Sequence, residues 1–387
     1  VTPLAVFVRF LSFGCRAWGG PVAQIEMLRA ELIEREAWIE PSQFARVLAL
    51  FQVLPGPEAH ELCVYLGAQR AGRWGGVLAG LGFMLPGTAL MLVLAWAYQT
   101  RLLDDPRVVA GFAGMQLAVL GLMTRAVYKL GRAFLTGALG LGLAIYAAIA
   151  SALGVHFAAV LAISGLLAVV MQQSSRVLRL GVLGLAVLLS LAAAPSQRPS
   201  GSEVLVAGTD TRTLTVSAAS ISGLKVGLLT FGGAYTAVPV LRQDLVVERQ
   251  LLGDRVFLDG LALASIIPAP MIIFVTFAGY LTGGLTAALA ITAGAFLPSF
   301  LFTLMLGRQL DFLANHPRLH RALDGIAAAL VGVVAVTTAQ LAAAIVDSVV
   351  AGGLALLALA ALVLWRSPWA VPAVVLACGT LGMALFL

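Results

Sequence analysis

Apolar stretches long enough to cross a bilayer recur along nearly the whole chain. They lie near residues 4–20, 44–66, 76–98, 108–127, 134–151, 155–171, 180–194, 219–238, 257–278, 286–306, 322–346, 351–365 and 370–387. A helix needs about 20 apolar residues to span the hydrocarbon core. The sequence therefore predicts an all-α polytopic membrane protein of about 13 transmembrane helices. Charge content agrees: 11% of residues are charged and 60% hydrophobic, where soluble domains carry about 25% charged residues. So apolar a chain cannot cover a water-facing surface, and its solvent is lipid.

The net charge of +6 follows from basic residues held in cytoplasmic loops, and no nucleic-acid motif accompanies it. One alternate set of loops holds Arg70, Arg73, Arg125, Lys129, Arg132, Arg176, Arg179, Arg242, Arg249, Arg255, Arg308, Arg318, Arg321 and Arg366. The opposite set holds fewer than half as many: Arg29, Arg35, Arg101, Arg107, Arg198 and Arg212. This bias places the N-terminus in the cytoplasm and the C-terminus in the periplasm of a bacterial inner membrane. The first apolar stretch lacks a charged leader and a cleavage site, so it is read as a retained span. Cys15, Cys63 and Cys378 show no metal-binding spacing. No phosphate-binding loop occurs. No cofactor or metal is expected.

The polar stretch 195–217, rich in Pro, Ser, Gly and Thr, reads as a linker between an N-terminal repeat, 1–194, and a C-terminal repeat, 218–387. A shift of 213 positions aligns Gly19-Gly20 with Gly232-Gly233, Arg29 with Arg242, and Pro55-x-Pro57 with Pro268-x-Pro270. With one residue deleted, Leu85-Pro86 meets Leu297-Pro298. An odd number of crossings in the first half inverts the second. Inverted repeats with discontinuous helices are a recurring plan of secondary transporters.

The repeats agree best at helix breakers. Trp18-Gly19-Gly20-Pro21 pairs with Phe231-Gly232-Gly233-Ala234, and Leu54-Pro55-Gly56-Pro57 with Ile267-Pro268-Ala269-Pro270. Two prolines around a small residue break a helix. A helix restarting there aims amide N–H groups and its positive dipole end into the break, which suits an anion. Simple kinks and close glycine packing are the alternatives. Glu58, His60 and Glu61 follow the first break at membrane depth, about three turns beyond Arg46, and are candidate proton carriers. As a bland alternative, the two carboxylates only cap a helix. Arg29, Arg242 and Lys225 are candidate oxyanion ligands, or surface and snorkelling cations.

The stretches WGGPVAQIEMLRAELIER, LPGPEAHELCVYLG, RWGGVLAGLGFMLPG, FGGAYTAVPVL and LDGLALASIIPAPMIIFVTFAGYLTGG resemble the chromate ion transporters in their long, two-domain form. The resemblance runs over essentially the whole chain. It implies export of chromate driven by the proton motive force, with sulfate as a chemically similar ligand. It assigns motif positions to Gly19, Gly20, Pro21, Arg29, Pro55, Gly56, Pro57, Glu58, Gly232, Gly233, Pro268 and Pro270. The chain departs at Gln24, where the family often has histidine, and at Ala269, where it usually has glycine.

The expectation is thus a secondary transporter working by alternating access around paired Pro-x-Pro breaks. Its partners are chromate or sulfate, protons and the bilayer, with a homodimer allowed and nucleic acid not. An oxyanion importer or exchanger and a passive anion channel stand as alternatives. A membrane-embedded enzyme built on Glu58, His60 and Glu61 is disfavoured, because no nucleophile or metal cluster accompanies them.

Overall fold

The computed structural model describes residues 1–52, 54–102, 104–135, 137–171, 213–231, 233–305, 317–365 and 367–387. The predicted segment 180–194, the linker up to residue 212 and Gly232 lie outside the described residues. The described chain is all-α. Its helices are α1 (Pro3–Gly14), α2 (Gly20–Leu28), α3 (Pro41–Phe51), α4 (Glu58–Ala97), α5 (Pro106–Phe134), α6 (Gly137–Ala152) and α7 (Phe157–Met171). After the linker come α8 (Val216–Leu229), α9 (Ala237–Arg242), α10 (Asp254–Ser265), α11 (Phe274–Met305), α12 (Pro317–Ile345), α13 (Val349–Leu364) and α14 (Ala370–Leu385). Stretches within α4, α5, α11 and α12 are long and apolar enough to cross a membrane, and six further helices are apolar but shorter.

Local geometry recurs with the spacing read from the sequence. Thr2 caps α1 by accepting from Ala5 N–H, and Thr215 caps α8 by accepting from Ala218 N–H, both at 3.3 Å. A π-helical turn follows α2 at Arg29–Arg35 and another follows α9 at Gln243–Glu248. Each turn is closed the same way: Trp38 N–H donates to Leu32 O, and Leu251 N–H to Leu245 O. Ala37 (φ 49°) and Gln250 (φ 52°), both unfavoured left-handed residues, occupy equivalent places.

The segments 44–66 and 257–278 differ from expectation. Hydropathy reads each as one broken crossing, yet each is two helices folded back on one another. Gln43 in α3 donates to Tyr65 Oη in α4 at 2.7 Å, and Phe51 packs edge-on against the same ring. In the second repeat Phe257 meets Phe274, and Gly260 lies against Phe277. A coaxial helix continuing across either gap would hold these pairs about 20 Å or more apart. The Pro-x-Pro motifs are therefore the tips of helical hairpins. An apolar count cannot separate one long helix from two short ones with an apolar turn.

A second reversal lies inside α4. Gly72 has φ 67° and ψ −168°, and the arm 73–97 returns along the arm 58–70, with Gly76 against Val64 and Ala68. Gly284 (φ 71°) turns α11 likewise. The long return arms then meet each other. Gly80 lies against Phe300 and Gly76 against Leu304, so these equivalent helices run in opposite directions. The return arms also carry the first helix of their own repeat: Gly82 against Phe7 and Leu11, and Gly294 against Ser220 and Leu224. Glycine at these positions lets backbones approach without a side chain between them.

The helices group into two compact units, one of Val1–Leu122, Val204–Gly307 and Ala342–Leu387, the other of Met123–Glu203 and Arg308–Leu341. In the first, Gly114 of α5 sits on the Cys378 carbonyl of α14. In the second, the equivalent Gly325 of α12 sits on the Ser164 carbonyl of α7. Each repeat thus packs its closing hairpin on the long helix of the other.

Candidate functional site

Four helix breaks converge in the first unit. The tip Pro55-Gly56-Pro57 reaches the break after α8, where Gly56 N–H donates to Thr230 O at 2.8 Å. That break is closed by Thr236, whose hydroxyl accepts from Phe231 N–H at 3.1 Å and lies 2.8 Å from Gly233 O. The tip Pro268-Ala269-Pro270 reaches the break after α1 through a side chain instead. Gln24 Nε2 donates to Ala17 O at 2.9 Å and to Ala269 O at 3.0 Å. Each Pro-x-Pro tip therefore bonds to the glycine break of the other repeat.

Backbone conformation explains the glycines. Gly19 and Gly20 have φ of 84° and 78°, and Gly233 has φ 123°, values a side chain disfavours. Gly19 also lies against Pro368, and Trp18 packs against Trp369 at 5.0 Å, so the turn before α14 covers this break. Pro21 sits in the first turn of α2, where its missing N–H costs nothing. Gly56 has φ 148°, whereas Ala269 at the equivalent position has negative φ.

The polar interior is one-sided. Glu58 and Glu61 occupy the first turn of α4. Glu61 is fully buried, and neither carboxylate oxygen has a hydrogen-bond partner. Beside it Ser299 of α11 is also fully buried with its hydroxyl unpartnered. Both converge on Gly56, where a Cβ would stand 2.7 Å from Glu61 Oε1 and 2.8 Å from Ser299 Oγ. His60 is packed between the rings of Phe296 (4.7 Å) and Phe300 (4.8 Å), beside the Gly80 backbone.

The cations expected as anion ligands are engaged by carboxylates. Arg29 is half-exposed, 3.2 Å from Glu34 and 3.9 Å from Glu26. It lines a cavity of about 320 Å³ with Ile33, Phe44 and Leu48. Arg242 grips Asp254 through Nε at 2.7 Å and Nη2 at 2.9 Å. Lys225 reaches Asp244 at 3.3 Å, and Asp244 also accepts from Ser222 and lies near Arg249. Glu31 takes Arg9 at 2.8 Å and Arg16 at 2.9 Å. The structure thus brings together Gly19, Gly20, Pro21, Pro55, Gly56, Pro57, Glu61, Gly233, Pro268 and Pro270. The contacts described for Arg29, Arg242 and Lys225 lie on the outlying π-helical turns and their supports.

Sequence reading missed Thr230, Thr236, Ser299 and the bridging role of Gln24. Ser299 had a signal, since it follows the Leu-Pro pair and replaces the first repeat's Gly87. It also missed Asp259, which is buried and accepts from Tyr98 Oη and Gln116 Nε2, each at 2.7 Å. That cluster ties the second hairpin to α4 and α5.

Apolar helices interrupted around a buried centre define a polytopic membrane protein of the transporter class. Residues 4–171 and 218–383 match the family model described as Chromate transporter. The chain is 44% identical over 389 residues to a chromate transport protein of Pseudomonas aeruginosa, covering 98% of this chain and 92% of the relative. It is 31% identical over 330 residues to a chromate transport protein of Cupriavidus metallidurans, covering 84% of this chain and 79% of the relative. It is 28% identical over 338 residues to a probable chromate transport protein of Synechococcus elongatus, covering 84% and 81%. No solved structure matches the chain. The chain belongs to the chromate transporter family, a family of transporters rather than enzymes.

Proposed function

We propose that this protein is a secondary transporter that exports chromate, and accepts sulfate, across the bacterial inner membrane in exchange for protons. Its N-terminus is cytoplasmic and its C-terminus periplasmic. The observation that carries the reading is the crossed pairing of the breaks: each Pro-x-Pro tip bonds to the glycine break of the opposite repeat. Two equivalent elements meeting around one centre are what alternating access needs, because tilting one against the other opens opposite faces in turn. The opposed direction of the equivalent return arms supports an inverted relation between repeats 1–194 and 218–387.

In this reading the anion is taken by the restarting helix ends and the backbone at Gly19, Gly20, Gly56, Gly232 and Gly233, shaped by Pro21, Pro55, Pro57, Pro268 and Pro270. Arg29, Arg242 and Lys225 act as flanking cations that concentrate it. Proton coupling falls to the first turn of α4, with Glu58, His60 and Glu61. The test is chromate and sulfate uptake into inverted membrane vesicles, with and without an imposed pH gradient. Accumulation that collapses with the gradient is expected. Flux that follows voltage but never concentrates either anion indicates a channel and overturns the proposal, as does no flux from folded protein.

A further inference from the structure

Two buried polar groups from opposite repeats face one point with nothing bonded to either. A buried polar group is normally hydrogen-bonded, so an exception calls for a cause. At this point the missing side chain of Gly56 leaves the space. On one side stands the Glu61 carboxyl, on the other the Ser299 hydroxyl. The remaining surroundings are poor in alternatives. Glu58 stands three residues before Glu61 in the first turn of the same helix. His60 is sealed between two phenylalanine rings. The tip 54–57 and the facing turn of α11 bring no titratable side chain. Thr303, one turn beyond Ser299, adds a second unpartnered hydroxyl.

We infer that Glu61 and Ser299 form one proton site shared by the two repeats, with Glu61 as the carrier and Ser299 as its positioning residue. The inference rests on the proton-coupled reading above. A serine hydroxyl suits the task because it both donates and accepts. When Glu61 holds the proton, its O–H donates to Ser299 Oγ. When the proton leaves to water on the open side, Ser299 turns and donates its own O–H to the carboxylate. The two groups close the space beside Gly56 and the hydroxyl reorients, so both protonation states are satisfied. The partners sit on α4 and α11, so protonation acts on the contact that alternating access must remake. The sequence confines the site to one place, because the positions equivalent to Glu61 and Ser299 are Phe274 and Gly87.

The experiment compares wild type, Glu61→Gln, Ser299→Ala and Ser299→Thr in inverted vesicles, each checked for folded protein by size-exclusion chromatography. Chromate accumulation driven by a pH gradient is read beside chromate–chromate exchange without one. Wild-type accumulation is the baseline, and its absence defeats the proton-coupled reading rather than the site. Glu61→Gln is expected to lose accumulation by about tenfold or more while keeping exchange. Ser299→Ala is expected to move the pH profile of transport by about half a unit or more, and Ser299→Thr to restore it. Accumulation retained in Glu61→Gln, or a pH profile unchanged in Ser299→Ala, overturns the inference. If Glu61→Gln does not fold, the serine pair still decides it.

Discussion

Removing the Tyr98 hydroxyl tests how firmly the second hairpin is tied down. Asp259 is 4% exposed and Tyr98 3%. The carboxylate takes the phenol on Oδ2 and the Gln116 amide on Oδ1, both at 2.7 Å. Tyr98→Phe keeps the ring, which packs edge-on against Phe112 at 5.3 Å and Phe277 at 5.0 Å. The substitution therefore deletes one hydrogen bond and little else. A hydrogen bond to a charged partner contributes about 1.5–3 kcal/mol. If that bond is broken in the unfolding transition state, unfolding accelerates about ten- to a hundredfold. The buried free thiols of Cys63 and Cys378 give the assay. A thiol-reactive dye reports their exposure in detergent at constant temperature, above a constant signal from exposed Cys15. Asp259→Ala orphans two donors and is expected to unfold faster than Tyr98→Phe. Asp259→Asn keeps an acceptor for Gln116 and lets Tyr98 accept, so it falls between wild type and alanine. Equal rates for wild type and Tyr98→Phe would refute the idea that this cluster braces the hairpin.

Gly56→Ala places a methyl on Glu61 and Ser299 at a backbone angle a side chain resists, costing about 1–3 kcal/mol; transport and dye exposure should both suffer, whereas Ala269→Gly is expected to leave both near wild type. Gly332→Ala drives a methyl into the Ala144 backbone, and overpacking of this kind costs about 1–3 kcal/mol, read as faster dye labelling. Arg242→Lys gives up the two-pronged grip on Asp254 and should destabilise by about 1 kcal/mol or more in the same assay. Glu31 lies outside the apolar segments. Burial pushes its carboxyl up, but the Arg16 hydrogen bond and the charges of Arg16, Arg9 and Arg35 outweigh this and hold it below its ordinary value. Its share of stability is therefore full above the ordinary carboxylate range and is lost as pH falls through its lowered value. Glu31→Gln should flatten that acid limb in melts followed against pH.

The repeat and its breakers were legible because they depend on residue type at fixed spacing. Gly19-Gly20, Pro55-x-Pro57 and Pro268-x-Pro270 stand in the sequence whatever the fold does with them. The direction of the chain after each proline pair was not legible. Hydropathy has no term for whether α4 continues α3 or returns beside it, and that outcome rests on contacts such as Gln43 with Tyr65. The cross-pairing of tips and breaks was hidden for the same reason, since Gly56 and Thr230 are far apart in sequence. Nor did the matching arginines show how differently they are set: Arg242 is held by Asp254, while the equivalent of Asp254 beside Arg29 is Pro41.

That last difference belongs to a pattern. Where the second repeat has Asp259 locked by Tyr98 and Gln116, the first has Arg46, exposed on α3. Where the second tip carries Ala269 in ordinary backbone, the first carries Gly56 at positive φ. Glu61 answers Phe274, and Ser299 answers Gly87. The backbone plan is duplicated, but each repeat has given up different chemistry. A duplicated plan supplies two like elements that meet around one centre. On the proton-coupled reading, a single path needs one carboxyl, because a second at the equivalent place would put like charges into the same low-dielectric interior. The second hairpin, with α10 buried along most of its length, is the better anchored of the two. In the first, α3 buries only Phe44 and Phe51. Placing a charge at residue 274 therefore makes a discriminating test: Phe274→Glu should not add a second coupled proton, and should instead lower both accumulation and stability. A variant that transported with doubled proton dependence would show that the repeats had kept equivalent roles.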